Sequence, residues 1–168
     1  LYNLTNPEDV DRADKEFWNW GQHACVEVPN PTAGIVEFII FDNGNWHSRD
    51  EARALLPVNN GSRMVQYRVD LNQMTVTKVL EYGKDEVGNR GYSSFVGNAF
   101  QVSGENCVIN FGGAIFDENR RPLSAGTGTD IVDPLDGNLA QGRVILHEFN
   151  PSTKSPVFEM TFTSGRYK

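Results

Sequence analysis

The histidine at position 23 is the residue of this sequence whose type and setting best fit catalysis. It lies in the stretch Trp-Asn-Trp-Gly-Gln-His-Ala-Cys-Val, residues 18–26, between a glycine turn and an alternating run that predicts a β-strand. Imidazole is the side chain best suited to act as a nucleophile or to carry a proton near neutral pH. A single histidine at the start of a strand is also typical of a purely structural role.

Three other basic or titratable residues compete with His23 for a functional role. His47 follows a tight turn and is interpreted as an exposed loop residue. His147 alternates with apolar neighbours inside a predicted strand, which indicates a structural role. Arg63 opens a strand after a glycine, and an ion pair or packing explains it better than catalysis.

The turn that follows the second predicted strand offers two polar side chains, Asp42 and Asn43. These residues either orient His23 or a substrate, or they simply close a tight turn. Aromatic residues near the same turns either line a pocket for an aromatic substrate or pack in the core. The candidates for such a pocket are Trp18, Trp20, Tyr92 and Phe95.

The composition excludes several classes of function. A net charge of −7 argues against a nucleic-acid partner, because a phosphate backbone requires clustered lysine and arginine. No apolar run is long enough to span a bilayer. Cys25 and Cys107 have no metal-binding spacing, and they are equally compatible with a disulfide or with two buried thiols. No metal ion and no cofactor is predicted.

Turn-forming residues divide the chain into segments that are rich in β-branched and aromatic side chains. The predicted strands are residues 23–28, 35–41, 63–70, 75–82, 96–102, 106–111, 143–149 and 156–162. The run 35–41 is almost wholly apolar, which predicts burial on both faces. Residues 1–20 are interpreted as a leading loop, and the strands form one unit over residues 21–83 and a second over 92–164.

The two groups of four strands read as copies of one unit, with a period of roughly 75 residues. Phe41-Asp-Asn-Gly44 corresponds to Phe111-Gly-Gly113, and Gln22-His-Ala24 corresponds to Gly97-Asn-Ala99. This pattern predicts an all-β fold made of two four-stranded antiparallel blades of a β-propeller. The alternative is an eight-stranded β-sandwich. A propeller closes only with about four blades or more, so the first interpretation requires further blades or another chain.

Several short motifs, in their order and spacing, resemble the C-terminal part of the bacterial arylsulfate sulfotransferase family, which uses no nucleotide sulfate donor. The resemblance is dense from Gly21 to Lys84 and thinner beyond. The motifs that carry it are Gly21-Gln-His-Ala24, Phe41-Asp-Asn-Gly44, Ser62-Arg63-x-x-x-Tyr67-x-x-Asp70, Met74-Thr-Val76 and Glu81-Tyr-Gly-Lys84.

The resemblance implies a six-bladed propeller that moves a sulfuryl group from a phenolic sulfate ester to a phenol acceptor through a sulfated histidine. The family's Gln-His motif falls on His23, which implies that His23 is the nucleophile. The family's other catalytic histidines and its arginine lie upstream of this motif, and only about twenty residues precede His23 here. We therefore expect this chain to be a C-terminal fragment that is inactive alone. The implied location is the bacterial periplasm or cell envelope.

The residues expected to bind the substrate are Asp42, Asn43, Arg49 and Tyr92. Arg49 follows the turn where the family often has an arginine, and a sulfate group requires cationic or N–H donors. The expected partners are a small aryl sulfate donor and a phenol acceptor. Two other functions stay open, an aryl sulfate hydrolase and a non-catalytic propeller module that binds ligands or partners.

Overall fold

Strands make up most of the regular structure in the computed structural model, which describes residues 2–3, 17–45, 47, 55–102, 105–117, 119–123 and 141–164. The strands are β1 (Tyr2–Asn3), β2 (Gln22–Val28), β3 (Ile35–Asp42), β4 (Arg63–Asp70), β5 (Thr75–Tyr82), β6 (Asn98–Gln101), β7 (Cys107–Phe116), β8 (Pro122–Leu123), β9 (Gln141–Asn150) and β10 (Ser155–Thr163). Within the described ranges, the helical elements are one α-helical turn, Lys84–Val87, and two 3-10 turns, Pro57–Asn59 and Gly88–Gly91.

The first sheet has the strand order β1-β5-β4-β3-β2, and all of its pairs are antiparallel. Strands β2 to β5 follow one another as a meander. The turn between β4 and β5 is held by Asp70, whose carboxylate accepts hydrogen bonds from the backbone N–H groups of Asn72 and Gln73. Strand β1 lies in the segment interpreted as a leading loop, so that interpretation is wrong for Tyr2 and Asn3.

The second sheet repeats this plan with the order β10-β9-β7-β6, and the short strand β8 adds to β7. Its pairs are also antiparallel. Strand β8 and the helical turn Lys84–Val87 both lie in segments that were expected to be loops. A strand of two residues and a helix of four are too short to show a periodic pattern of apolar residues, so the sequence does not indicate them.

The main core lies between the two sheets. Aromatic rings from the two sheets meet there, with the rings of Phe41 and Phe111 at 5.9 Å and those of Tyr82 and Phe149 stacked at 3.6 Å. The buried residues of this core are Ile39, Phe41, Met64, Tyr82, Val87, Ala99, Cys107, Ile109, Phe111, Ile145 and Phe149. Aromatic and aliphatic burial of this kind supplies the main stabilisation of the domain.

The outer face of the first sheet is covered by residues that precede β2. Phe17 packs on Val65 and Tyr67, and its carbonyl accepts a hydrogen bond from the Tyr67 hydroxyl. The strand β3 therefore contributes to both faces, because Ile39 and Phe41 belong to the main core while Phe38 and Ile40 pack in this second cluster. The predicted two-sided burial of this strand holds in part, because Phe38 and Ile40 are half-buried and Val36 is exposed.

The eight predicted strands all appear, with ends shifted by a few residues, and the predicted all-β fold is confirmed. Two stacked antiparallel sheets are a feature of neighbouring propeller blades and of a sandwich alike. No helix in the described part of the chain is long and apolar enough to cross a membrane.

Candidate functional site

His23 lies at the start of β2, and its side chain is exposed. It pairs with Phe41 of β3. Backbone hydrogen bonds between the same two chain segments continue past the ends of these strands. The N–H of Asn43 donates to the carbonyl of Gly21 at 3.2 Å, and the N–H of Asn45 donates to the carbonyl of Trp20 at 2.6 Å. The backbone on both sides of His23 is therefore held by the end of β3.

A β-bulge sets the direction of the residues around His23. The pairing register of β2 and β3 shifts between His23 and Cys25, and Ala24 has a left-handed φ of 53°. A bulge bends its strand and re-aims the side chains next to it. Gly21 has a φ of 82°, and a Cβ atom there would lie 2.8 Å from the Asn45 side-chain nitrogen, so the turn into the strand requires glycine.

Asp42, predicted to bind substrate, is fully buried at the end of β3. Its carboxylate accepts hydrogen bonds from the backbone N–H of Trp20 at 2.7 Å, the N–H of Gly44 at 3.0 Å and the Nε of Arg63 at 2.9 Å. The side chain thus fixes the turn that precedes His23 and the turn that follows β3. These contacts support a positioning role for Asp42.

Arg63 completes the charged group that holds this end of the first sheet. Its guanidinium also donates to Glu81 at 2.8 Å and to the carbonyl of Trp18 at 2.7 Å, and the arginine side chain is fully buried. Burial alone would lower the pKa of Arg63, but the charges of Asp42 and Glu81 outweigh it and raise this pKa. Of the two explanations left open for Arg63, an ion pair or packing, the structure shows the ion pair.

Asn43, also predicted to bind substrate, connects the two sheets. Its side-chain amide is buried and donates to the carbonyl of Ser93 at 2.6 Å and to that of Val96 at 3.1 Å. The hydroxyl of Ser62 donates to the carbonyl of Asn43 at 2.8 Å and accepts from the N–H of Ser93. These bonds attach the end of β3 to the segment that leads into β6.

Tyr92 and Arg49 are the two remaining predicted substrate-binding residues. Tyr92 is 1% exposed, and its hydroxyl donates to the side-chain oxygen of Asn45 at 3.1 Å. The amide of Asn45 in turn donates to the carbonyl of Ser94 at 2.9 Å. Arg49 lies outside the described residues. Tyr92 therefore contacts the turn that follows β3 through Asn45.

His47 corrects an expectation. The sequence indicated an exposed loop histidine, but the side chain is 2% exposed and its ring lies 5.7 Å from the ring of Trp20. Its backbone has a left-handed φ of 49° and donates its N–H to the carbonyl of Asn45. The sequence signal for this burial was the aromatic content of residues 17–20, because aromatic side chains bury a loop that packs against them.

His147 is buried within β9, as expected for a structural residue. Its Nδ1 lies 3.1 Å from the Tyr82 hydroxyl, and its Nε2 contacts the carboxylate of Glu159. Glu159 also binds Arg90 through two hydrogen bonds of 2.9 and 2.7 Å. This chain of polar groups links both sheets and the segment between them.

Neither cysteine forms a disulfide. Cys25 is exposed on β2, whereas Cys107 is buried and burial raises the pKa of its thiol to about 11. Among the described residues, no three histidine, cysteine, aspartate or glutamate side chains are grouped closely enough to hold a metal ion.

Comparison with known proteins adds family evidence to this geometry. A family model described as arylsulfotransferase (ASST) matches residues 4–168. The chain is also similar to an arylsulfate sulfotransferase, AssT, of Escherichia coli O6:H1, with 37% identity over 76 residues. That match covers 45% of this chain and 12% of the curated relative, so the chain spans a small part of the relative's length.

Proposed function

Because this chain belongs to the arylsulfotransferase family, we propose that it carries the nucleophile for sulfuryl transfer from a phenolic sulfate ester to a phenol acceptor. The observation that carries the proposal is the exposed imidazole of His23 at the bulged start of β2. The sulfated form of this histidine is the proposed intermediate. The E. coli relative is named an arylsulfate sulfotransferase, which supports aryl sulfates as the donor class.

In the first half of the reaction, an unprotonated ring nitrogen of His23 attacks the sulfur of the donor ester. The S–N bond forms while the bond between sulfur and the phenolic oxygen breaks, and the phenolate leaves with both electrons. Sulfuryl transfer resembles phosphoryl transfer, in which a loose transition state spreads charge over the three equatorial oxygens. A neutral imidazole can attack without first losing a proton, so no base is needed for this step.

In the second half, the oxygen of an acceptor phenol attacks the same sulfur. The S–N bond breaks, the ring nitrogen recovers its electron pair, and the phenol proton passes to a base as the new ester forms. His23 is the nucleophile of the first half-reaction and the leaving group of the second, and the acceptor oxygen attacks sulfur from the side that the donor phenolate left. A fixed ring position therefore serves both, and effective positioning lowers the barrier of each.

The residues behind His23 supply that fixed position in this proposal. Asp42 and Arg63 clamp the turn before the histidine, and Asn43 ties the neighbouring strand end to the second sheet. The predicted substrate contacts of Asp42, Asn43 and Tyr92 stay predictions. We infer that all three act through the position of His23. Arg49 is the proposed cation for the sulfate oxygens.

Further blades or another chain complete the proposed site. Strand β10 exposes four large apolar side chains, Val157, Phe158, Met160 and Phe162, which favour coverage by more protein. The chain also spans only 12% of its E. coli relative. These two facts support the proposal that the complete protein is a propeller with additional blades and that this chain alone is inactive. Membership of the family supports a location in the bacterial periplasm or cell envelope.

The test is direct detection of the intermediate. The intact protein is mixed with phenyl sulfate in the absence of acceptor, digested, and analysed by mass spectrometry. We expect the peptide that contains His23 to gain the mass of one SO₃ group, and phenol to remove it. His23→Asn should abolish the label and lower transfer about a thousandfold or more.

Cys25→Ser is the matched control, because it changes an exposed side chain two residues away on the same strand. It should keep the label. A protein that transfers sulfate at the normal rate without a label on His23 would contradict the proposal. Label removal by water as fast as by phenol would identify a hydrolase, and absence of both label and turnover would identify a binding module.

A further inference from the structure

The turn that leads into β6, residues 93–97, contains a valine in a conformation that valine rarely adopts. Val96 has a φ of 46°, in the left-handed region. There the Cβ atom crowds the following carbonyl oxygen, and a β-branched residue makes the conformation a genuine outlier. The side chain is 41% exposed, so its burial offsets little of this strain. Backbone outliers of this kind persist where surrounding contacts impose them, and they are frequent at functional sites.

The contacts that impose this conformation come from both sheets. The side-chain amide of Asn43, at the end of β3, donates to the carbonyl of Ser93 at 2.6 Å and to that of Val96 at 3.1 Å. From β7, the N–H of Gly113 donates to the hydroxyl of Ser93 at 2.6 Å. That hydroxyl in turn donates to the carbonyl of Val96 at 3.2 Å. The strained residue is therefore held between the end of β3 and the middle of β7.

Gly97, the next residue, lies directly against the strand partner of His23. A Cβ atom on Gly97 would lie 2.2 Å from Cε1 of Phe41, and the φ of Gly97 is 141°. Phe41 is fully buried and pairs with His23 across β2 and β3. The backbone of Gly97 thus limits where the Phe41 ring can lie, and the position of Phe41 determines that of the His23 backbone.

Valine differs from glycine in what it does to such a turn. Glycine adopts the left-handed conformation without strain, and Gly21 does so in the turn that leads into β2. The same turn geometry therefore does not require valine at position 96. Between fixed contacts, however, valine has a narrow range of φ and ψ, whereas glycine has a broad one. Valine at this position makes the turn rigid at a cost in stability.

We propose that Val96 and Gly97 are positioning residues for His23, and that the strained turn holds the end of β3 and its histidine partner in one place. A turn that relaxes lets the Phe41 ring and the end of β3 move, and a displacement of about 1 Å at a catalytic group can lower a rate about a hundredfold. The inference rests on the proposed function of His23. It adds a contribution of the second sheet to a site whose nucleophile lies on the first.

The experiment compares the intact wild-type protein with Val96→Gly. Glycine removes the strain, so the unfolding equilibrium constant should fall about threefold. The maximal rate of His23 sulfation by phenyl sulfate should also fall, by about tenfold, because the turn is no longer rigid. The phenyl sulfate concentration that gives half the maximal rate should change little. Chemical denaturation and rapid-quench mass spectrometry of the His23 peptide measure these effects.

Met74→Gly is the matched control. Met74 has a φ of 52° and is 41% exposed, but it lies in the turn between β4 and β5, at the other end of the first sheet. Its replacement should stabilise the protein by a similar factor and leave the sulfation rate unchanged. Val96→Asn should retain most of the sulfation rate, because asparagine tolerates the left-handed conformation better than valine and is more restricted than glycine.

A second reagent separates orientation from access. Diethyl pyrocarbonate acylates an exposed imidazole and requires no fixed direction of approach. We expect it to modify His23 at the same rate in the wild type and in Val96→Gly, while sulfation slows in the variant. Equal slowing of both reactions would overturn the proposal, because it would show a change in the exposure of His23.

Two further outcomes would overturn the proposal. One is a Val96→Gly protein that sulfates His23 at the wild-type rate, whatever its stability. The other is an equal loss of sulfation rate in Met74→Gly, which would show that the effect is not specific to this turn. A wild-type protein without a label on His23 would contradict the proposed function, and this inference with it. A normal wild-type label with an unaffected Val96→Gly would contradict this inference alone.

Discussion

At the scale of single residues, the local backbone around His23 differs from that of an ordinary strand. A left-handed residue on each side, Gly21 and Ala24, turns the chain sharply before and after the imidazole. Such conformations cost energy in a non-glycine residue and persist only where surrounding contacts impose them. Next to Gly21, the buried carboxylate of Asp42 holds the N–H of Trp20, and the N–H of Asn43 donates to the Gly21 carbonyl.

Asn43 allows a test of positioning against substrate binding. We expect Asn43→Ala to lower the free energy of unfolding by about 1–3 kcal/mol, because the carbonyl groups of Ser93 and Val96 lose a buried donor. Transfer should fall through kcat, with little change in KM, since His23 loses support. Chemical denaturation and steady-state kinetics of the intact protein measure both effects.

Asn89→Ala is the control for that change. Asn89 is exposed, and its amide also donates to one backbone carbonyl, that of Val58. Its loss should change stability by no more than about 0.5 kcal/mol. A rise in KM for Asn43→Ala at unchanged stability would instead assign Asn43 to substrate binding.

At the scale of elements, one charged group joins the ends of three neighbouring strands. Asp42 ends β3, Arg63 begins β4, and Glu81 lies near the end of β5. Glu81 also contacts Lys78, and although burial alone would raise the pKa of Glu81, the bonds from Lys78 and Arg63 lower it. Glu81 therefore stays ionised near neutral pH, and the group holds the strand ends in register next to His23.

Replacing the arginine of this group tests how much it stabilises the sheet. Arg63→Met should lower the free energy of unfolding by about 3–5 kcal/mol, because it leaves the carboxylate of Asp42 buried without its cation. Arg121→Met removes a similar ion pair with Asp117, but there the arginine is 70% exposed, so the expected loss is below about 1 kcal/mol. Equal losses for the two variants would contradict the structural role of Arg63.

At the scale of the whole molecule, a polar chain crosses the contact between the sheets. It runs from Tyr82 of the first sheet through His147 and Glu159 of the second to Arg90 in the connecting segment. The hydrogen bonds and charge of Arg90, followed by the contact with His147, lower the pKa of Glu159 to about 2. The ordinary value for this carboxyl is 4.5.

This network predicts a pH dependence of stability. The folded-state pKa of Glu159 is depressed, so its contribution is complete above pH 4.5 and is lost as the pH falls from there towards 2. Glu159→Gln should flatten the decline in thermal stability across this interval. The contribution is reduced by solvent, because the Glu159 side chain is 38% exposed.

Glu148→Gln is the matched comparison for the pH experiment. Glu148 lies on β9 beside His147, but its carboxylate accepts a hydrogen bond from the neutral amide of Asn106. The slope of thermal stability against pH in Glu148→Gln should therefore match that of the wild-type protein. If thermal stability still declines steeply with falling pH in Glu159→Gln, the decline is caused by other carboxylates.

The sequence alone predicted the longer strands, the repeat of a four-stranded unit and the place of His23 at the start of a strand. Alternating apolar residues and turn residues act over a few neighbours, so the eight longer strands were predictable. The motif order from Gly21 to Lys84 was sufficient for the family, which the match over residues 4–168 confirms. For Arg63 the sequence left an ion pair and packing open, and the ion pair with Asp42 became visible only in the folded structure.

Only the tertiary structure decided which polar residues lie next to each other. The bond from Asn43 to Ser93 joins residues 50 positions apart, and His47 is buried by a tryptophan from the segment before β2. Such contacts arise when strands with their own local preferences are packed together, and a linear pattern holds no record of them.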